Sequence, residues 1–522
     1  MKMVKSLLLG TAAGLVAMSG AQAADLPVKA KPVQYVKICS LYGAGFYYIP
    51  GTDMCLKIGG WARVYEAWGV NGNSTNGALA TGQNSTRSTQ NLAPKVRGYI
   101  TVDARNQTEY GTVRSYIAVG YNSGGPQSGV GSGNVTAPGT NPTLSAYDNA
   151  VGFNANRAFI QFAGFTFGIT QSFYDLYSQP ATSFFGGMIN PASDTGDPGD
   201  FIYGAYTAQF GNGFSATLAA ENPRITSVLN GSSASMFVVA APGTTPATQA
   251  GNLGIAPASS AEAMQWPDVV ANLRVDQAWG SAQIMGAIHD VAATYYGSND
   301  VTGHPSDTIG WAVGAGIKLL APMIGTGDYF QAQVNYTEGA RKYVDFSYNN
   351  MYSMFNGGSY GIGIGSDAVF NGTSGANGTS LQLTTAWGVN AAYEHFWSPK
   401  WQTSAYGAYT ATSYNAVANT ELCAAETGGG GALGSAFSLN GATCNNNFQT
   451  WTVGTRTQWN IDASTYLGVD VVYQVLQTGL AGMNANYSNG AESGSAAGGG
   501  PRTVSNQSAW MAEFRVHRNF YP

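Results

Sequence analysis

Hydrophobic and polar residues alternate with a period of two along much of the chain. Between residues 330 and 337, Phe330, Ala332, Val334 and Tyr336 alternate with Gln, Asn and Thr side chains. The same alternation recurs at 95–105, 450–459 and 465–475. Successive side chains of a β-strand point to opposite faces, so each segment predicts a strand with one apolar and one polar face.

The alternation predicts sixteen strands. They span residues 56–70, 95–110, 111–122, 149–163, 165–174, 200–210, 213–222, 268–279, 281–291, 308–320, 328–338, 381–396, 400–413, 448–460, 463–477 and 507–520. Short turns alternate with long loops rich in Gly, Ser, Asn and Thr. The long loops span 71–94, 123–148, 175–199, 223–267, 292–307, 339–380, 414–447 and 478–506. This strict sorting by length is typical of an even-numbered barrel whose two termini lie at its short-turn end.

Two architectures use strands of this kind. A soluble sandwich buries the apolar faces against each other, whereas a membrane barrel turns them to lipid and its polar faces to a water-filled lumen. A sandwich has no reason to sort its connections by length. About 10 tilted residues at ~3.3 Å each also match an apolar band of ~25 Å. The sequence therefore predicts an all-β fold, a transmembrane antiparallel β-barrel with short periplasmic turns and long extracellular loops.

The first residues have the features of a secretory signal peptide. Lys2 and Lys5 precede a short apolar run, and Ala21 and Ala23 form a small-x-small cleavage site. The run is too short to span a membrane as a helix. Cleavage after Ala23 would take the formal net charge from −5 to −7. The expected division of the chain is a signal peptide at 1–23, an N-terminal segment at 24–55 and the barrel at 56–522.

Composition favours one large β structure over several soluble domains. The chain contains 70 Gly and 30 Tyr, but only 10% of its residues are charged. Tryptophans near the strand ends suit the two interfacial girdles of a barrel, although some could instead pack in crevices. These tryptophans are Trp61, Trp68, Trp279, Trp397, Trp401, Trp459 and Trp510.

Basic side chains occupy several positions of the polar register. A charge that faces lipid costs about 2–4 kcal/mol at the midplane, so these side chains are expected to face water inside the barrel. The alternative is that single arginines only brace neighbouring carboxylates. The expected pore-lining residues are Arg63, Lys95, Arg97, Arg105, Arg114, Arg157, Arg274, Arg456 and Arg515.

The third long loop, 175–199, combines acidic and aromatic residues. Its carboxylates, facing a basic wall, would set up a transverse field across a narrow opening and screen solutes by size and charge. From charge alone, an ordinary solvated loop is the better interpretation. The residues concerned are Asp175, Phe184, Phe185, Asp194 and Asp197, with Asp200 just beyond.

Four cysteines follow the signal peptide, and secretion exposes them to an oxidising compartment. Sequence proximity favours the pairs Cys39–Cys55 and Cys423–Cys444. Four cysteines allow three connectivities, and free thiols are the remaining alternative.

Other functional classes stay open from the residues alone. For an enzyme, the zinc-protease and phosphate-loop motifs are absent from the sequence, and Glu394 and His395 are adjacent strand residues that point to opposite faces. The glycine-rich segment 361–365 has no helix after it, which makes phosphate binding a weak interpretation. A substrate-selective channel, for sugars for example, would use an aromatic track. Its candidate residues are Tyr65, Tyr99, Tyr116 and Tyr466. The long loops would also suit a surface adhesin.

Two segments resemble a known family. Residues 39–60 closely resemble the N-terminal signature of the alphaproteobacterial porins, the family of the Brucella and Rhizobium major porins. Residues 510–520 resemble their closing strand and the signal that the barrel-assembly machinery reads, with Trp510, Phe514 and Phe520 at alternating positions. Outer-membrane barrels commonly end on Phe, whereas Tyr521 and Pro522 follow Phe520 here.

The resemblance implies a porin in the outer membrane of a Gram-negative bacterium. It implies a sixteen-stranded homotrimer through which ions and small hydrophilic solutes diffuse passively. Loop 175–199 would fold inward as the constriction, and segment 39–55 would lie at the periplasmic end. The implied partners are the lipid bilayer, lipopolysaccharide and the barrel-assembly machinery. No enzymatic activity, cofactor, metal ion or nucleic acid partner is expected.

Overall fold

The computed structural model describes most of the chain outside the signal peptide. The described residues are 37–69, 83–84, 92–124, 152–176, 183–185, 200–224, 226–232, 259–297, 299–345, 351–356, 359–428, 437–485 and 502–521. The predicted signal peptide, 1–23, lies outside these residues.

Sixteen long antiparallel strands form a closed barrel. They are β1 (Cys55–Trp68), β2 (Leu92–Thr108), β3 (Gly111–Gly124), β4 (Gly152–Phe162), β5 (Phe165–Thr170), β6 (Asp200–Gly211), β7 (Phe214–Glu221), β8 (Asp268–Gln277), β9 (Gly280–Val291), β10 (Thr308–Leu320), β11 (Tyr329–Glu338), β12 (Thr385–Ser398), β13 (Trp401–Ser413), β14 (Phe448–Asn460), β15 (Thr465–Thr478) and β16 (Gln507–Tyr521). Each strand pairs with its neighbours in sequence, and β16 pairs with β1. Closure gives each of the sixteen wall strands a partner on both sides, which matters because lipid offers no hydrogen bonds. The predicted barrel is confirmed.

The two faces of the strands have the polarity that the alternation predicts. Val64 and Val334 are 52% and 46% exposed on the outer face. Gln333 and Asp470, on the inner face, are 1% and 0% exposed. The apolar side chains therefore cover the outside of the barrel, and the polar side chains contact one another or inward-folded loops.

The hairpin between β6 and β7 shows why a tight turn here needs its particular residues. Asn212 and Gly213 both have positive φ, 49° and 77°. Asn and Gly are the residues that adopt this left-handed backbone most readily. A side chain at Gly213 would also collide with the carbonyl oxygen of Asp276 on the neighbouring strand.

Two predicted strands are shorter at one end because the chain leaves the barrel wall there. β5 ends at Thr170 instead of residue 174, and the hydroxyl of Ser172 then donates a hydrogen bond of 2.5 Å to the Glu221 carboxylate. β12 begins at Thr385 instead of residue 381, because Gln382 belongs to a small sheet outside the barrel.

Five long loops are named here by their residues: L3 (171–199), L4 (222–267), L6 (339–384), L7 (414–447) and L8 (479–506). They contain helix α1 (Ala416–Thr427), the short helical turn Arg341–Tyr343, and the short strands Val228–Asn230, Met351–Asn356, Ser359–Ile364, Ala368–Phe370, Gln382–Leu383, Phe437–Ser438, Asn484–Ala485 and Arg502–Thr503. The remaining short elements are the strands Tyr47–Tyr48 and Gln83–Asn84 and the helical turns Ser40–Tyr42 and Asp300–Thr302.

Four of these loops share one hydrophobic core. Leu229 of L4, Ile362 of L6, Leu422 of L7 and Met483 of L8 are all fully or almost fully buried in the same cluster. Burying each such side chain contributes about 1.5–3 kcal/mol, so the loops stabilise one another. The sequence predicted only Gly- and Ser-rich connections in this region.

Both predicted disulfides are present. Cys39 is bonded to Cys55 and Cys423 to Cys444, each pair with a Cα–Cα distance of 5.9 Å. The first bond attaches the N-terminal segment to the start of β1, and the second joins α1 to the end of L7. In the described part of the chain, no helix has both the length and the apolar character needed to cross a membrane.

Candidate channel lumen

The predicted pore-lining basic residues fall into separate groups on the inner wall. Arg105 and Arg114 both contact Asp103, at 2.7 and 2.9 Å. Arg274 contacts Asp276 at 2.8 Å. For these three residues, bracing a neighbouring carboxylate is the observed arrangement.

The other predicted basic residues lie on the walls formed by β1, β2, β4, β14 and β16. Arg515 pairs with Glu513 at 2.7 Å, and Arg456 pairs with Glu394. Arg157 donates a hydrogen bond of 2.9 Å to the backbone oxygen of its neighbour Asn156. The register of β1 and β2 places two further pairs of residues opposite one another. These pairs are Arg63 with Arg97 and Tyr65 with Lys95.

Arg63 differs from the braced arginines. Its Nε donates a hydrogen bond of 3.3 Å to Nδ1 of His517, and its guanidinium lies 4.6 Å from the centre of the Trp61 ring. Among the described residues, no carboxylate forms an ion pair with Arg63. Its charge is therefore not neutralised by a neighbour in that part of the protein.

L3 contacts the inner wall at β8 and β9. Arg274 donates a hydrogen bond of 2.9 Å to the backbone oxygen of Leu176. Gln283 donates one of 3.1 Å to the backbone oxygen of Tyr174, and Asn272 donates one of 2.5 Å to that of Phe173. The beginning of L3 is thus attached through its backbone to polar side chains that point into the barrel.

A later part of L3 contacts a different arc of the wall, at β15 and β16. The amide of Phe184 and the hydroxyl of Ser183 donate hydrogen bonds of 2.6 and 2.9 Å to the Asp470 carboxylate. Arg515 donates one of 2.9 Å to the backbone oxygen of Phe184. Phe185 packs in a cluster with Tyr406 and other inner-wall side chains. L3 therefore has contacts on two separate arcs of the barrel interior.

The acidic residues of L3 are only partly described. Asp194 and Asp197 lie outside the described residues. Asp175 is buried and pairs with the buried Arg224 of L4 at 2.9 Å, and Asp200 lies 3.7 Å from the same arginine. Asp175 therefore faces a loop arginine and not the basic wall that its charge suggested.

L6 also folds into the barrel, although its sequence predicts only a long external loop. Asn335 on the inner wall donates a hydrogen bond of 2.5 Å to the backbone oxygen of Tyr343, whose ring lies 4.6 Å from that of Tyr174 in L3. The hairpin formed by the strands Met351–Asn356 and Ser359–Ile364 packs on the inner faces of β14 and β16 through Phe448 and Gln507. L3 and L6 therefore contact each other inside the barrel.

The glycine-rich segment 361–365 has a packing role. Gly361 and Gly363 lie so close to Gln507 and Phe448 that an added Cβ would come within 2.7 Å of each. Apolar residues alternate with glycine here, because one face of the strand Ser359–Ile364 enters the loop core and the other approaches the wall. This alternation was the sequence signal that could have predicted the strand.

The aromatic residues considered for a track lie on the inner face. Tyr65 is 5.3 Å from the guanidinium of Arg515, and Tyr116 stacks on Phe159 at 5.2 Å. Trp61 also faces inward, where its ring stacks on Tyr99 at 4.8 Å, so the girdle prediction is wrong for Trp61. The alternation explains the orientation, because Trp61 is two residues from Arg63 and shares its face.

The remaining tryptophans considered for the girdles are exposed. They are Trp68, Trp279, Trp397, Trp401, Trp459 and Trp510. At the closing strand, Trp510 and Phe520 are exposed on the outer face, which Phe514 shares by its spacing. Glu394 and His395 also face opposite sides, with Glu394 contacting Arg456 inside and His395 contacting Asp328 at 2.7 Å.

The disulfide-linked N-terminal segment contacts the same inner wall near the start of β1. Phe46 is buried, with the guanidinium of Arg105 at 4.9 Å and the ammonium of Lys57 at 6.0 Å from its ring. Both cations belong to inward-facing register positions, so the segment 37–55 covers part of one end of the barrel interior.

Comparison with known proteins identifies close sequence relatives. Porin Omp2b of Brucella abortus (strain 2308) is 36% identical over 228 residues, which is 42% of this chain and 54% of the relative. Porin Omp2b of Brucella canis is 36% identical over 224 residues, with the same two shares. The chain thus spans about half the length of these relatives.

Comparison of folds gives a solved outer membrane channel, DcaP of Acinetobacter baumannii. The TM-score is 0.53 at 12% sequence identity, and the match covers 91% of this chain and 99% of the other. At this identity the similarity shows a shared fold only.

A family model described as "Porin subfamily" matches residues 25–498. This match confirms the resemblance inferred from residues 39–60, and with the barrel fold it places the protein in the outer membrane of a Gram-negative bacterium. The chain belongs to the porin subfamily.

Proposed function

We propose that the protein is a channel through which ions and small hydrophilic solutes diffuse passively. The observation that carries this proposal is the contact of the described parts of L3, residues 171–176 and 183–185, with the inner face of a closed barrel of sixteen strands. A barrel of this strand number encloses more space than its own side chains fill. A loop attached to two arcs of the inner wall narrows such a space, and we infer that an open passage remains beside it. The family's name likewise implies a channel and not an enzyme.

In this proposal L3 is the constriction, and Phe184 marks its contact with the wall. The ring of Phe184 lies 4.1 Å from the guanidinium of Arg515 and 5.4 Å from that of Arg456. The carboxylates of Glu513 and Glu394 already pair with those arginines. With Arg63 and Arg97 close by on the same wall, we expect a channel that passes anions more readily than cations.

The test is planar-bilayer recording with purified full-length protein. We expect discrete insertion steps and, in a tenfold KCl gradient, a reversal potential displaced towards the chloride equilibrium potential. A gel-shift on heating in detergent shows beforehand that the protein is folded. Folded protein that inserts into bilayers without conducting would overturn the channel proposal. A reversal potential on the potassium side would overturn only the anion preference.

We propose further that the channel is a homotrimer, assembled by the barrel-assembly machinery and surrounded by lipopolysaccharide. The family resemblance supports the trimer. The exposed outer-face aromatics Trp510 and Phe520, with Phe514 between them, support recognition of the closing strand. If each insertion event raises the conductance by three equal sublevels, the result supports the trimer. Insertion events with a single conductance level contradict it. Reduced outer-membrane yield of a Phe520→Ala variant, with normal in vitro folding, tests the assembly signal.

The short turns and the segment 37–55 are assigned to the periplasmic end in this proposal, and the long loops to the cell surface. The packing of Phe46 against Arg105 supports a fixed position for the segment at its end of the lumen. Labelling of an introduced cysteine in L7 on intact cells, but not of one in the turn at Gly111, would support the assignment. The reverse labelling pattern would contradict it.

A further inference from the structure

Five aromatic rings form a continuous row along the inner wall, starting at the point where L3 meets it. The centroid distances are 6.2 Å from Phe184 to Tyr466, 4.9 Å from Tyr466 to His517, 5.6 Å from His517 to Trp61 and 4.8 Å from Trp61 to Tyr99. The residues come from L3, β15, β16, β1 and β2. We call this set the aromatic row.

Guanidinium groups lie over both ends of the aromatic row. Arg515 is 4.1 Å from the Phe184 ring. At the other end, Arg63 and Arg97 are 4.6 and 5.6 Å from the Trp61 ring. Arg97 also lies 5.4 Å from the ring of Tyr99. The strip of wall therefore carries a run of flat aromatic groups with flat cationic groups over both ends.

The hydrogen bonds of His517 show that this strip keeps its positive charge near Trp61. Nδ1 of His517 accepts from Arg63 at 3.3 Å, and Nε2 lies 3.0 Å from the side-chain oxygen of Asn519. The proton of the ring therefore sits on Nε2, and the imidazole is neutral. His517 orients the Arg63 guanidinium without adding or removing charge, and the remaining guanidinium nitrogens can bind an anion.

The arrangement of the rings limits which solute the strip can bind. Tyr466 stacks on His517 with an interplanar angle of 20°, and Trp61 stacks on Tyr99 at 19°, so these ring faces already cover one another. A neutral sugar needs an aromatic ring face that is free for stacking, which these rings do not offer. A wall without a binding role would need neither aromatic rings nor cations. Ring edges are electropositive, as are guanidinium groups, and a guanidinium plane attracts the face of an aromatic solute.

We propose that the aromatic row and its arginines bind aromatic carboxylates during passage. The carboxylate would accept hydrogen bonds from the free guanidinium nitrogens of Arg63, and the ring of the solute would stack on a guanidinium plane. This inference rests on the proposed channel function, because solutes reach the inner wall only through an open lumen.

The test compares two solutes of equal charge and similar size, benzoate and cyclohexanecarboxylate, as blockers of the KCl current. We expect benzoate to reduce the current of the wild-type channel with an apparent binding constant about fivefold tighter, since only benzoate offers an aromatic face to a cation. Neutral benzyl alcohol is expected to leave the current unchanged. Equal block by the two carboxylates, or tighter block by cyclohexanecarboxylate, overturns the inference.

Variants then locate the binding site. We expect Arg63→Gln and Trp61→Leu each to remove the preference for benzoate over cyclohexanecarboxylate. The matched control is Arg518→Gln, which lies one residue from His517 on β16 but is exposed on the other face and should retain the preference. An unchanged preference in both inner-wall variants overturns the site. Absence of any KCl current in the wild type contradicts the channel itself, whereas a normal current without the preference contradicts only this inference.

Discussion

The backbone amide of Phe184 donates a hydrogen bond of 2.6 Å to the carboxylate of Asp470, and this contact joins L3 to strand β15. The same carboxylate accepts hydrogen bonds from the hydroxyls of Ser183 and Tyr406. One buried inner-wall residue of β15 thus contacts both the loop and strand β13, which is separated from β15 by β14. Hydrogen bonds to a charged group are worth about 1.5–3 kcal/mol each, so this carboxylate contributes a large part of the attachment of L3.

We predict that Asp470→Ala loosens L3 and raises the mean single-channel conductance together with the current noise. The variant loses the two hydrogen bonds from L3 to this carboxylate, a cost of about 3 kcal/mol or more for the attached loop. Single-channel recording measures both quantities. Asp300→Ala, at an exposed position in another loop, should leave them unchanged. A conductance in Asp470→Ala equal to that of wild type would show that L3 does not control the narrowest section.

The L6 hairpin leads to a second prediction. Gly363 lies against the ring of Phe448, where an added Cβ would come within 2.7 Å. Gly363→Val should therefore displace the hairpin from the wall and raise the size limit for neutral solutes, measured by liposome swelling with oligosaccharides of increasing length. The control is Gly375→Ala, because an added Cβ there has its nearest neighbour at 3.9 Å. An unchanged size limit in Gly363→Val contradicts a role of L6 in narrowing the lumen.

The strands could be predicted from sequence because each one carries its own evidence. The alternation of Val334 with Gln333 is a local pattern, and its cause, a wall between lipid and a polar interior, acts on every strand separately. The loop core has no such local signature. Ile362 and Leu422 are far apart in sequence and meet only because both loops fold over the same part of the barrel.

The sequence contains a start signal for helix α1, although the alternation of polar and apolar residues predicts only a long loop there. Asn415 is its N-cap, with the side-chain oxygen accepting a hydrogen bond of 2.8 Å from the amide of Ala418. An Asn before an Ala-rich stretch is a known start signal for a helix. For Trp61, the position near a strand end suggested a girdle residue, and this was wrong. Trp61 is two residues from Arg63, so the alternation of the strand places both side chains inside the barrel.

The disulfide between Cys423 and Cys444 supports a third prediction. It joins α1 to residues 21 positions later and closes a loop whose chain entropy in the unfolded state is worth about 3 kcal/mol. Replacing both cysteines by serine should speed proteolysis of L7 by at least tenfold, measured by mass spectrometry of the fragments. The barrel should keep its heat-dependent gel shift, because the bond lies outside the wall strands. Simultaneous loss of the gel shift would show that the fold of L7 and the fold of the barrel depend on each other.

Glu426 of α1 makes the stability of the folded loop L7 depend on pH. Burial raises the pKa of Glu426 from 4.5 to about 8, although a hydrogen bond from Asn446 opposes the shift. The folded loop therefore holds a proton that the opened loop releases between these values, so the free energy of opening is greatest below about pH 4.5. It should fall by up to about 1.4 kcal/mol per pH unit as the pH rises to 8.

We predict that the ratio of L7 cleavage rates, wild type over Glu426→Gln, increases with pH across this window, since the amide carries no titrating proton. Glu262→Gln, at an exposed position in L4, should give a constant ratio. A flat ratio for Glu426→Gln would show that the carboxyl group is ionised or hydrated in the folded loop.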